Sequence, residues 1–114
     1  MGMRRNIALQ FDDEQGKIYF YTHWGALDLE DDLRQALIRG ASRWNDPAYL
    51  ARIIFSILIR DDVDGLTGFG IDVAECDPEY PTIEVDLQKH TVDGVPFAEF
   101  IGSPARSDIA ALSN

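Results

Sequence analysis

Apolar residues alternate through the first part of the chain. Ile7, Leu9 and Phe11 share one side of a strand predicted over 6–11. Ile18 and Phe20 share one side of a second strand predicted over 17–23. The polar run between them, DDEQGK, reads as a hairpin turn in which Gly16 is available for positive φ. The other side of strand two carries Tyr19, Tyr21 and His23. An aromatic and polar second face belongs to a surface that meets a ligand or another subunit more often than to plain solvent surface.

The period then changes. Gly25 breaks the strand, Asp28 is suited to cap a helix, and Glu30, Asp31 and Asp32 stand where the helix dipole favours negative charge. Leu29, Leu33, Ala36, Leu37 and Ala41 follow at helical spacing and predict a helix over 29–41. Asp46-Pro47 opens a second helix over 47–60, cap first and proline in the first turn. Leu50, Ala51, Ile53, Ile54, Phe55, Ile57, Leu58 and Ile59 make it apolar nearly all round, so it is expected to lie deepest. The run IIFSILI also fits a buried strand; the cap and the length of the segment favour helix.

After a loop at 61–66, Phe69, Ile71 and Val73 alternate with Gly68, Gly70 and Asp72 in a third strand. The glycines leave one of its faces bare, so a backbone, an aromatic ring or a ligand can approach closely. CDPEYP at 76–81 reads as a turn. Ile83, Val85 and Leu87 against Thr82, Glu84 and Asp86 give a fourth strand. The segment 91–97 gives a short fifth strand broken at Asp93-Gly94, and 97–101 a helical turn. The expected architecture is α+β, in the order β-β-α-α-β-β-β. An antiparallel sheet of four or five strands carries both helices on one face. Its other face would hold Tyr19, Tyr21, His23, Gly68, Gly70, Asp72, Glu84 and Asp86. Residues 1–101 form one domain, and the small, polar tail at 102–114 is expected to be mobile or to dock on a neighbour.

Composition narrows the class. The chain has 114 residues, 46% of them hydrophobic, enough for one core without disulfides. The single cysteine, Cys76, suits a reducing compartment, and no signal-peptide core or membrane-length apolar run is visible. The expected location is therefore cytoplasmic. The net charge of −10 argues against direct binding to nucleic acid. The asymmetry is sharper: between Asp61 and Glu99 there are eleven acids and one base, Lys89. Arg34, Arg39, Arg43, Arg52 and Arg60 cluster around the predicted helices. An acidic side and an arginine-bearing side are expected.

Two constellations offer chemistry. The first is Tyr19, Tyr21, His23 and Trp24, followed by Gly25. Just before a helix N-terminus, it offers a stacking face, a titratable donor and free backbone N–H groups. The plainer reading packs Trp24 across the end of the helix pair. The second is Arg43, Trp44, Tyr49 and Arg52. Arg52 falls on a mostly apolar helix, and a buried arginine needs a carboxylate such as Glu99 or Asp28, or an anionic ligand. The acids at 61–64 fail as a calcium loop, because the first and last ligand positions fall on Arg60 and Ile71. No metal spacing, phosphate loop or nucleophile elbow appears, and no cofactor is implied.

The segments YTHWG, RWNDPAYLARIIF, TGFGI and EYPTIEVDL together resemble a small hypothetical-protein family of phage and actinobacterial genomes. The resemblance spans about 18–101 and implies a mobile-element setting, with a role in countering host defence and a site in the host cytoplasm. Three readings follow. One is a non-enzymatic homo-oligomeric sponge for a small anionic, nucleotide-like ligand. Another is an acidic inhibitor that docks on a host defence protein. The third is a small nucleotide-processing enzyme with His23 as acid/base.

Overall fold

The computed structural model describes residues 3–12, 14 and 16–102. The tail expected from 102 onward therefore lies outside the described residues, apart from Gly102. Strands β1 (Arg5–Gln10) and β2 (Lys17–Thr22) pair antiparallel, with Ile7 opposite Phe20 and Leu9 opposite Ile18. Helices α1 (Leu29–Arg39) and α2 (Pro47–Leu58) follow, joined by a 3-10 turn at Ala41–Arg43. Strand β3 (Phe69–Asp72) pairs antiparallel with β2. β4 (Ile83–Asp86), β5 (Thr91–Val92), β6 (Val95–Pro96) and the helical turn α3 (Phe97–Phe100) complete the fold. The order across the sheet is β3-β2-β1-β4-β5-β6.

The α+β class stands, but the sheet is mixed and six-stranded. β4 lies parallel to β1, with Ile83 beside Ile7 and Val85 beside Leu9. The break at Asp93-Gly94 is itself the turn between the two short strands β5 and β6. CDPEYP is not a hairpin turn. It is part of a segment, 73–82, that links β3 on one side of the β1–β2 pair to β4 on the other. Asn6, wholly buried in β1, holds it there: Asn6 Nδ2 donates to the Cys76 carbonyl at 2.8 Å, and Cys76 N–H donates to Asn6 Oδ1 at 3.0 Å. Arg4 adds a bond from Nε to the Asp77 carbonyl, and its own N–H donates to Glu79 Oε1. Each such bond contributes about 1 kcal/mol net, and more is lost if one partner is removed and the other stays buried. Gly16 does not use positive φ; Gly68 and Gly94 are the described glycines that do.

The alternation read in the strands puts Ile7, Leu9, Phe20, Ile83, Val85 and Val92 on the helix side. They form one core with Leu29, Leu33, Leu37, Leu50, Ile54, Leu58 and Phe97. α1 begins after Asp28 with Glu30, Asp31 and Asp32 in its first turn, and the Gly40 N–H closes it on the Ala36 carbonyl. Asp28 and Asp46 occupy the cap positions, yet neither side chain caps its helix. α2 is not sealed all round: Ile53, Phe55, Ile57 and Ile59 are only half-buried, and Tyr49 is exposed. α1 buries five residues and α2 four, so the expectation that α2 lies deepest does not hold.

Candidate functional site

The glycine-bare face of β3 is filled by rings of the chain itself. A Cβ on Gly70 would stand 2.2 Å from the Tyr21 hydroxyl oxygen, and one on Gly68 would stand 2.3 Å from Trp24 Cζ2. Tyr21 lies across Gly70, its register partner on β3, and Trp24 lies across Gly68, whose φ is +104°. The His23 ring meets Tyr21 edge-on at 5.5 Å and is tilted against Trp24 at 6.3 Å. The His23 N–H donates to the Gly68 carbonyl. Tyr21 and His23 are half-buried in these contacts, and Tyr19, further along the same face, is half-buried as well. The backbone N–H groups that the sequence left available are used: Thr22 Oγ1 accepts from Trp24 N–H at 3.3 Å and from Gly25 N–H at 3.0 Å. Thr22 itself is wholly buried. This turn fixes where Trp24 points.

Trp24 nevertheless stays 57% exposed. It borders a cleft of about 380 Å³ whose walls include Gly25, Leu29, Leu58 and Phe69, with the carboxylates of Asp28, Asp32, Asp61 and Asp62. Among the described residues its one cation is Arg60, which bonds Asp32 at 3.1 Å, donates to the Ile57 carbonyl and reaches Asp61 at 4.0 Å. Burial raises the Asp32 carboxyl above its ordinary range, Arg60 pulls it back, and Asp28 and Asp31 push it further up. The cleft therefore carries an excess of negative charge next to an open indole. That combination suits an ammonium or guanidinium group, which gains from both the carboxylates and the ring face. A phosphate meets repulsion there.

The second constellation divides. Trp44 is structural: its Nε1–H donates to the Leu37 carbonyl at 2.9 Å, and its ring meets Phe97 edge-on at 5.2 Å. Arg43, Tyr49 and Arg52 are on the surface. The Arg43 guanidinium lies 5.2 Å from the Tyr49 ring centre and that of Arg52 5.9 Å. Arg43 also approaches Asp46 at 3.8 Å. Arg52 is not buried: it projects from the exposed side of α2 toward the Tyr49 ring, and no ion pair with Glu99 or Asp28 holds it among the described residues. Arg52 also lines a separate apolar groove of about 400 Å³ with Phe11, Ile18, Phe20, Phe55 and Ile71. No cavity described here includes members of both constellations.

The cleft carboxylates were visible in the sequence only in other roles. Asp28 read as a cap, Asp32 as a dipole partner, and Asp61 and Asp62 as a failed calcium loop. The usable signal was the i, i+4 spacing of Asp28 and Asp32, which puts two acids on one helix face against the usual preference. Among the described residues no cluster of His, Cys, Asp and Glu could hold a metal ion. No helix among them is long and apolar enough to cross a membrane. Compared with family models, with curated proteins and with solved structures, the chain gives no match.

Proposed function

We propose that this chain is a non-enzymatic binding protein that docks on a basic surface of a partner protein through the Trp24 cleft. The observation that carries this reading is an exposed indole, fixed over Gly68, beside four carboxylates and one already paired arginine. A rigid aromatic ringed by charge is the usual anatomy of an interface anchor: the ring supplies affinity and the charges supply encounter rate and partner choice. The acid-rich stretch 61–99 adds to the field, although several of its members also serve the fold. Glu84 pairs with Lys17 at 2.8 Å, and Asp86 accepts from the Gln88 and Lys89 N–H groups. With the phage and actinobacterial resemblance, the partner we propose is a host defence protein in the cytoplasm.

The test is a titration of the full chain with arginine-rich peptides, followed by tryptophan fluorescence. The expected result is a saturable change that weakens steeply with salt and is lost in Trp24→Ala. No response at low salt, or a response that survives Trp24→Ala, overturns the reading.

The nucleotide reading keeps one supporting observation, the Tyr49 ring flanked by two guanidiniums, an arrangement able to stack a base and hold a phosphate. In that case cyclic dinucleotides or ADP-ribose raise the melting temperature of the wild type and not of Tyr49→Ala. An unmoved melting temperature removes it.

A further inference from the structure

The two edges of the sheet are built differently. At one end β6 is two residues long and closes with Pro96, which has no N–H to donate, and α3 follows directly. That edge is blunted in the way edge strands usually are. At the other end, among the described residues, β3 has only β2 beside it, so one side of its backbone has no strand paired to it. Its apolar side chains are left open: Ile71 is 57% exposed and Val73 is exposed beyond it. Between this edge and α2 lies the apolar groove walled by Phe11, Ile18, Phe20 and Phe55. Among the described residues Arg52 is the only charged one lining it, and its guanidinium, 5.9 Å from the Tyr49 ring centre, makes no ion pair with them.

The same chain carries the complement. The loop 61–66 that leads into β3 holds Asp61, Asp62 and Asp64, together with Val63 and Leu66, whose side chains are exposed, Leu66 to 99%. We propose that β3 is a self-association edge: a second copy pairs its own β3 antiparallel to the first and brings its 61–66 loop to the groove and to Arg52.

The register supports this. Residues opposite each other in an antiparallel pair point to the same face, so a two-fold pairing that keeps the faces sets one residue opposite its own copy; the two central registers of β3 set Ile71 opposite Ile71 or Gly70 opposite Gly70. In either case Asp72, the only charge on β3, meets a glycine and not its own copy. α2 runs so that Leu58 and Phe69 border one cleft, while Arg52, Phe55 and Ile71 border the groove. Reversing β3 thus carries the second copy's loop toward the Arg52 end of the first. Carboxylates then meet the groove's guanidinium, and Leu66 and Val63 meet its apolar walls. The contact is reciprocal, as a two-fold interface requires.

Sedimentation velocity and native mass spectrometry of the full chain over about 1–100 µM test it. The expected species at the upper end has twice the 12.8 kDa chain mass. Leu66→Asp and Arg52→Glu, both at exposed positions, should each raise the dimer dissociation constant about tenfold or more. Both variants should keep the wild-type melting temperature as monomers, while Val95→Lys on the blunted edge leaves the dimer intact. A chain that stays monomeric across the range, or a dimer indifferent to both Leu66→Asp and Arg52→Glu, overturns the proposal.

Discussion

YTHWG at the exit of β2 and RWNDPAY at the entry of α2 look alike in sequence: aromatic rings, polar tips and a backbone breaker. The fold treats them in opposite ways. At the β2 exit, the rings of Tyr21 and Trp24 are laid on the space that Gly70 and Gly68 leave, and the backbone donors are taken by Thr22. At the α2 entry, Trp44 packs half-buried against the core beside Phe97, and Tyr49 is left outside between two arginines. What stands opposite a ring decides its fate. Glycines on a neighbouring strand give a ring a floor and leave its outer face free; the edge of a core of larger residues covers more of it.

The sharpest way to break this contrast is within the second segment. Trp44→Ala removes the bond to the Leu37 carbonyl and the contact with Phe97, and should cost about 2–3 kcal/mol in urea unfolding. Tyr49→Ala should stay within about 0.5 kcal/mol of wild type, because an exposed ring contributes little. A similar cost for both would erase the distinction.

The floor under Trp24 gives the next effect. Gly68→Ala forces a side chain into left-handed backbone and into the indole, and should cost about 1–3 kcal/mol. Gly70→Ala displaces Tyr21 without backbone strain and should cost less. Adding Trp24→Ala should recover only the steric part of the Gly68→Ala loss, which a double-mutant cycle reads.

The smallest effect concerns Asp32. Its folded carboxyl is raised chiefly by burial, so the folded chain binds the proton more tightly than the unfolded chain. Stability from this group is therefore present at low pH and falls as pH rises through the carboxylate range. Asp32→Asn should raise the melting temperature slightly at neutral pH. The gain should shrink as pH falls toward the ordinary Asp range. A gain that grows on acidification would reverse the assignment.

Much of the fold was legible. The period of two assigned the core-facing sides of β1, β2 and β4 correctly, because each of these strands has one side in a common core; on β3 only Phe69 packs against that core, and Ile71 is exposed. The opening of both helices followed from Asp28 and from Asp46-Pro47, although neither aspartate closes a side-chain bond. The parallel β1–β4 pair was not legible. It depends on Asn6 gripping Cys76 across seventy residues, and one buried asparagine leaves no periodic trace. The bare glycine face was legible as a place for a ring, a backbone or a ligand, but not which of them would come. Arg52 was misplaced because a helix that is apolar in composition need not be covered in three dimensions; here α2 leaves Phe55 half-open above the β3 edge.

The cleft account turns on the sign of the field around one indole. Collisional quenching by caesium and by iodide, each normalised to free N-acetyltryptophanamide, reads that sign directly. Trp24→Phe isolates the Trp24 share of the signal. Quenching of Trp24 should favour caesium over iodide at low ionic strength, and the gap should close as salt rises above about 0.1 M, where charges are screened beyond roughly 10 Å. Iodide reaching Trp24 as readily as caesium at low salt would contradict the account.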